Sequence, residues 1–226
     1  MSGAIEEIES FVKPLMGFVI AHDYRHADRV RRWAVSIAQA ERYPNLEEVE
    51  AAGLLHDIGL SKDAGRRHAE IGAELATEFL AKQGRFSADQ IKRISYAIRY
   101  HSSLDGMSPL LQILQDADGM ELFGALGLMR AISSKWEWAD YEEGNVRGQT
   151  WGLTADDFTD RFRNGVGIGR HIVDQINYQI SCEANLHTTT AKEAARPLVE
   201  YMKAFVKQFE VEVALGSAGH RGPAAP

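Results

Sequence analysis

The sequence predicts an all-α protein, a single compact bundle of many helices. Apolar residues recur at helical spacing along most of the chain, and no segment shows the alternation typical of a half-buried strand. Several of these segments also follow a residue that can cap a helix. The segment 26–38 illustrates the spacing, because His26, Val30, Trp33 and Ile37 fall at i, i+4, i+7 and i+11 on one face.

The remaining helices are predicted in order from the same signals. Asn45 can cap a helix that carries Val49 and His56 on one side, and Gly59 can end it. Ser87 and Thr190 each begin a capping-box pattern. Further helices are predicted at 68–83, at 87–101, from Ser108 toward Leu128, and at 155–163, 168–182 and 191–214.

No linker-like segment divides the chain, so we expect one domain over residues 1–215. Its motif-bearing core covers about 20–130, and its C-terminal helices cover 154–215. Residues 216–226 are rich in Gly, Ala and Pro and predict a flexible tail. The segment 136–153 holds three of the four tryptophans and predicts a structured loop. That loop could serve as a substrate lid with a stacking face, or simply pack its aromatic rings beneath it.

Composition narrows the classes of function. A formal net charge of −7 argues against a general nucleic-acid-binding surface, although a nucleotide substrate stays compatible. Cys182 is the one cysteine, which excludes an intrachain disulfide and favours a reducing compartment. The first nine residues are acidic where a signal peptide would be basic. No segment approaches the roughly 20 apolar residues of a membrane span. We therefore expect a cytoplasmic protein that does not bind membranes.

The adjacent pair His56 and Asp57 is the strongest chemical signal, because a histidine and a carboxylate in an apolar helical segment need a partner. A bound divalent cation is such a partner. His26 and Asp118 are the further candidate ligands. Imidazole nitrogen and carboxylate oxygen together suit Mn²⁺, Fe²⁺, Mg²⁺ or Zn²⁺. Four protein ligands would leave room for a water of lowered pKa.

Three local contexts carry a resemblance to a known family: His26-Ala-Asp-Arg-Val30, Leu54-Leu-His-Asp-Ile-Gly59 and Gln115-Asp-Ala-Asp-Gly-Met120. Over about residues 20–130 the chain resembles the HD-domain metal-dependent phosphohydrolase superfamily, in particular its small H…HD…D hydrolases. The resemblance implies a phosphohydrolase that acts on a small phosphorylated metabolite, with a nucleotide favoured, and that uses Asp57 in catalysis. In one departure, Gly119 stands where that subgroup usually has arginine, which leaves the substrate open.

His68 and His101 complete a six-residue pattern that resembles the dinuclear members of the superfamily. The resemblance implies that these two histidines bind a second cation, with Asp57 bridging the two ions. Contact with substrate is the alternative role. A mixed-valent di-iron oxygenase on the same six ligands is the alternative function, and a domain that binds a nucleotide without turnover is a third.

Basic residues beside the proposed ligands could bind the substrate anion. Lys62, Arg66 and Arg67 lie just after the metal motif, although a solvated loop explains each of them too. Arg29 could orient an anion or pair with Asp23. The oligomeric state stays open, a homo-oligomer included. Four other histidines have no ordered partner in the sequence: His22, His171, His187 and His220.

Overall fold

The computed structural model describes residues 3–17, 21–63, 65, 67–103 and 106–218, and these ranges form ten α-helices and no strand. The helices are α1 (Ala4–Leu15), α2 (Tyr24–Ala40), α3 (Leu46–Leu55), α4 (His68–Gln83), α5 (Ala88–Tyr100), α6 (Pro109–Met120), α7 (Gly124–Ser134), α8 (Ala155–Arg163), α9 (Ile172–Ser181) and α10 (Thr189–Ala218). Short 3₁₀ helices occupy Ile58–Ser61 and Cys182–Asn185. The prediction of an all-α fold is confirmed. A search of the described residues finds no helix that could span a membrane.

Contacts group the described residues into two units. The first comprises Met1–Glu121 with Leu186–Glu193, and the second comprises Leu122–Asn185 with Ala194–Pro226. The prediction of one domain over 1–215 stays a prediction.

Two glycines set the helix packing in the first unit. A Cβ added to Gly53 would lie 2.7 Å from the Cα of Arg31, so α3 approaches the backbone of α2. A Cβ added to Gly59 would lie 1.9 Å from the carbonyl oxygen of His68, so the 3₁₀ helix approaches the start of α4 even more closely. Only a residue without a side chain fits such backbone contacts. These contacts draw the chain around His56 and Asp57 toward α2 and α4.

Several predicted helix starts are confirmed by capping hydrogen bonds. The side chain of Asn45 accepts a hydrogen bond from the backbone of Glu48, and Ser87 forms a capping box with Gln90. Ser108 accepts from Leu111 and precedes Pro109, the first residue of α6. Each cap satisfies a backbone N–H that has no partner within its helix.

Other boundaries differ from the prediction. The helix expected to run from Ser108 toward Leu128 is interrupted after Met120, because Phe123 is extended and Gly124 has a φ of +69°. α9 begins at Ile172 instead of residue 168, because Gly169 has a φ of +124°. Both glycines adopt the left-handed conformation that ends regular helical hydrogen bonding.

The ends of α3 and α10 also differ. α3 ends at Leu55, and Gly59 lies in the following 3₁₀ helix instead of ending α3. The hydroxyl of Thr188, not that of Thr190, accepts a hydrogen bond from the backbone at the start of α10. α10 continues to Ala218, past the predicted start of the tail at residue 216, and the rest of that tail lies outside the described residues. α1 was not predicted.

A buried carboxylate organises the second unit. Asp174 accepts hydrogen bonds from the backbone of Gln149, Thr150, Arg170 and His171 and from the hydroxyl of Thr150. These bonds compensate for removing the charge from water. They hold the segment 136–153, which contains no helix, in agreement with the predicted loop.

Candidate metal centre

Asp57 lies at the centre of a cluster of imidazoles in the first unit. This residue is 3% exposed and lies between the end of α3 and the 3₁₀ helix. Its Oδ2 is 3.2 Å from Nε2 of His56 and 3.5 Å from Nε2 of His26. Its Oδ1 is 3.4 Å from Nε2 of His101 and 3.9 Å from Nε2 of His68. The two oxygens of one carboxylate therefore face two different pairs of histidines.

Three of these imidazoles are oriented in the same way, by a backbone carbonyl three residues earlier. The Nδ1 atoms of His56, His68 and His101 lie 2.8, 2.9 and 2.7 Å from the carbonyl oxygens of Gly53, Gly65 and Ile98. A carbonyl only accepts hydrogen bonds, so Nδ1 carries the proton in each ring. When the ring is neutral, Nε2 then offers its lone pair toward Asp57.

His26 is held by a carboxylate instead. Its Nδ1 lies 3.3 Å from Oε2 of the fully buried Glu121. The guanidinium of Arg29 donates to the same oxygen from Nε and Nη2, at 2.8 Å each. Nε2 of His26 faces Oδ1 of Asp118 at 3.4 Å. The side chain of Asp118 is 34% exposed, so it marks the open side of the cluster.

Local structure explains why these side chains meet. Asp23 caps α2 by accepting a hydrogen bond from the backbone of His26, which places His26 in the first turn. In α6, Asp116 faces away from the cluster and accepts from the backbone of His187 and Thr188 at 2.7 and 2.8 Å. Of the two aspartates in that motif, Asp118 alone is near the histidines.

The donor atoms fit a divalent cation. Among the described residues, three groups have ligand atoms within 4.8 Å of one another. They are His26, His56 and Asp118; Asp57, His68 and His101; and His22, His26 and Asp57. Nε2 of His56 is buried and, apart from its contact of 3.2 Å with Oδ2 of Asp57, has no hydrogen-bond partner among the described residues. A buried polar atom without a hydrogen bond is costly, and a metal ion would satisfy it.

Imidazoles and carboxylates in the cluster shift one another's pKa values toward the charged forms. Burial lowers the pKa of His56, but the Asp57 carboxylate outweighs burial and raises that pKa to about 9. Burial likewise raises the pKa of Asp57, but the surrounding imidazoles hold it well below its usual range. Nearby His56 also lowers the pKa of Asp118 against the effect of burial. In the absence of a cation, the proton on His56 therefore supplies positive charge beside Asp57.

The structure brings together all six residues proposed from the sequence as ligands, and their role in binding metal stays a prediction. It also adds two residues that the sequence analysis did not select. His22, set aside there as a histidine without an ordered partner, lies with its Nδ1 2.8 Å from Oδ2 of Asp57. Glu121 anchors His26. The sequence signals were weak: His22 precedes His26 by four residues, and Glu121 follows Asp118 by three.

Two of the other histidines that were set aside also have hydrogen bonds. Nδ1 of His171 lies 3.3 Å from Asp174, and the backbone of His187 donates to Asp116. His220 lies outside the described residues.

The basic residues proposed to bind substrate are distributed unevenly. Arg29 pairs with Glu121 and not with Asp23, whose side chain caps α2. Lys62 is exposed, and Arg67 is exposed beside Glu70 at 3.4 Å. Arg66 lies outside the described residues. Binding of a substrate anion by these residues stays a prediction.

The fold and the cluster together define an all-α protein with a histidine and aspartate centre that can hold divalent metal. Residues 23–122 match the family model of the HD domain. This segment contains the six proposed ligands, and the match confirms the resemblance to the HD superfamily over these residues. A comparison with curated proteins found no match.

Solved structures with the same fold cover nearly the whole chain. A predicted HD superfamily hydrolase from an uncultured Thermotogales bacterium is 26% identical, with a TM-score of 0.63 over 92% of this chain and 91% of its own. Bacillus subtilis YpgQ, in complex with ADP, is 22% identical, with a TM-score of 0.63 over 92% and 94%. A Lactobacillus plantarum protein is 22% identical, with a TM-score of 0.69 over 95% and 100%. The last two likenesses show the fold alone.

Proposed function

We propose that this protein is a metal-dependent phosphohydrolase that acts on a small phosphorylated metabolite, with a nucleotide as the favoured substrate. One observation carries the proposal. The Asp57 carboxylate presents one oxygen to His26 and His56 and the other to His68 and His101. This is the arrangement expected of a carboxylate that bridges two cations.

Each side chain then has a defined task. His26, His56, Asp57 and Asp118 would hold one divalent cation, and Asp57, His68 and His101 would hold a second. When bound, a divalent cation polarises a phosphoryl oxygen and lowers the pKa of a coordinated water. The backbone carbonyls keep each Nδ1 proton away from the cations. Asp118 lies at the exposed side, where a substrate phosphate can approach.

The substrate needs local positive charge, because the chain as a whole carries a net charge of −7. Lys62 and Arg67 are exposed and closely follow Asp57 in the chain. Each charge-assisted hydrogen bond from such a residue to a phosphate is worth about 1.5–3 kcal/mol. YpgQ, which shares the fold, was solved with ADP, and this supports a nucleotide among the phosphorylated candidates.

The alternatives have less support. A di-iron oxygenase would use the same six residues, but no feature of the site or its relatives favours oxygen chemistry over hydrolysis. A domain that only binds a nucleotide would not need the full set of ligands. The metal-dependent phosphohydrolase therefore remains the proposed function.

The proposal is tested by metal analysis of protein purified without chelator, followed by a phosphatase screen. The screen supplies Mn²⁺, Mg²⁺ or Fe²⁺ with nucleoside phosphates and sugar phosphates and measures phosphate release. His56→Ala is the site variant, and His187→Ala is the matched control because its side chain is exposed. We expect metal-dependent release that His56→Ala abolishes and His187→Ala keeps. Oxygen consumption by the iron-loaded protein without phosphate release would overturn the proposal.

A further inference from the structure

His22 makes the shortest contact to the central carboxylate. Its Nδ1 lies 2.8 Å from Oδ2 of Asp57, whereas His56 and His26 lie 3.2 and 3.5 Å from the same oxygen. We propose that His22 is a positioning residue that fixes the rotation of the Asp57 carboxylate. This inference rests on the proposed function, because it concerns the same metal centre.

The direction of the hydrogen bond follows from the chemistry of the two groups. An ionised carboxylate is an acceptor only, so the Nδ1–H of His22 donates to Oδ2. This arrangement is the reverse of that in His56, His68 and His101, whose Nδ1 protons go to backbone carbonyls. When the rings are neutral, His22 thus directs an N–H at the cluster, where His56, His68 and His101 direct a lone pair. A ring that donates from Nδ1 cannot bind a cation through that atom at the same time.

The rotation of Asp57 matters because its two oxygens do different work. The terminal torsion of an aspartate is broad, so the side chain does not hold its own plane. With Oδ2 held by His22, Oδ1 stays directed at His101 and His68, at 3.4 and 3.9 Å. Without that bond the carboxylate can turn, and the two oxygens no longer match both groups of histidines. Outer-shell hydrogen bonds of this kind change metal affinity by roughly 10–100-fold.

His22 is also well placed for a test by substitution. Its side chain is 42% exposed, so its loss leaves no buried cavity. The experiment is a Mn²⁺ titration of the full-length protein, with free Mn²⁺ measured by electron paramagnetic resonance. The variants are His22→Ala, which removes the donor, and His22→Asn, whose side-chain amide can donate from nearly the same place. His187→Ala is the matched control, because its side chain is exposed and its bond to Asp116 uses only the backbone.

We expect His22→Ala to weaken Mn²⁺ binding roughly 10–100-fold. His22→Asn should recover most of that loss, and His187→Ala should bind like the wild type. Circular dichroism and thermal melting of the metal-free proteins should show equal folding, which a merely structural role for His22 would not allow.

Three results would overturn the inference. Wild-type affinity in His22→Ala would remove any role for His22 at the metal centre. Equal weakening in His22→Ala and His22→Asn would show that the imidazole itself is needed, as a ligand would be. An absence of Mn²⁺ binding by the wild-type protein would instead refute the metal centre and the proposed function with it.

Discussion

Replacement of Gly59 by alanine tests how the fold builds the candidate metal centre. An added Cβ would lie 1.9 Å from the carbonyl oxygen of His68 and 2.7 Å from the backbone nitrogen of Gly72. Both neighbours are backbone atoms of α4, which cannot turn aside as a side chain can. To restore an ordinary contact of 3.4 Å, the 3₁₀ helix or the start of α4 must move by about 1.5 Å.

Such a movement costs stability and also displaces a proposed ligand. Overpacking of this kind costs typically 1–3 kcal/mol, and the backbone neighbours of Gly59 place it at about 3 kcal/mol. For a chain of this size, 1 kcal/mol lowers the melting temperature by roughly 2–4 °C, so we expect a fall of about 6–12 °C. His68 is the first residue of α4, and its Nε2 is 3.9 Å from Asp57. The same movement should therefore weaken the binding of the second proposed cation, which Asp57, His68 and His101 would hold.

Gly72→Ala provides the matched control across the same contact. Its Cβ would lie 3.3 Å from the backbone nitrogen of Gly59, which needs an adjustment of only a few tenths of an ångström. Within a helix, alanine is also favoured over glycine by about 1 kcal/mol. Thermal unfolding of the metal-free variants and their Mn²⁺ stoichiometry measure the two effects. If Gly59→Ala has the melting temperature and the Mn²⁺ stoichiometry of the wild type, the close approach of the two backbones is not needed to form the site.

Three further predictions follow from the same geometry. The double variant His68→Ala/His101→Ala should lose half of the bound metal by elemental analysis, and a single ion in both proteins would contradict two-cation binding. The variant Arg66→Ala/Arg67→Ala should raise KM for a phosphorylated substrate by roughly tenfold or more for each lost charge-assisted hydrogen bond. Its metal content should not change. Unchanged kinetics would show that neither residue binds the substrate. Because the pKa of His56 is raised to about 9, its ring is protonated below that pH and must release a proton to bind a cation. Metal affinity should therefore rise about tenfold per pH unit up to pH 9 in calorimetric titrations, and an affinity independent of pH would contradict this proton competition.

The sequence was most informative where short-range patterns decide the structure. The caps Asn45, Ser87 and Ser108 were recognisable because the residues that complete them lie within three positions. The order of His26, His56-Asp57 and Asp118 identified the cluster because an apolar helix face that builds the core also brings its histidines together. The all-α class followed from spacing repeated along most of the chain.

The features that were missed depend on contacts between distant parts of the chain. Glu121 contacts His26 across 95 positions, and Asp57 contacts His22 across 35, so local spacing carries only a weak sign of either pair. Asp116 and Asp118 are alike in the sequence, and only the approach of residues 187 and 188 shows which of them is an anchor. The break at Gly124 likewise depends on a positive φ that a helical apolar pattern conceals.

The Mn²⁺ stoichiometry of the wild type, Asp57→Asn and Asp57→Ala tests the central claim most directly. Asp57 has one oxygen toward each pair of histidines, so its replacement removes a negative charge and a proposed ligand from both proposed cation sites. We expect two Mn²⁺ ions per wild-type chain. Neither folded variant should retain metal, and neither should release phosphate. Folded Asp57→Ala protein with wild-type metal content and wild-type turnover would contradict the account.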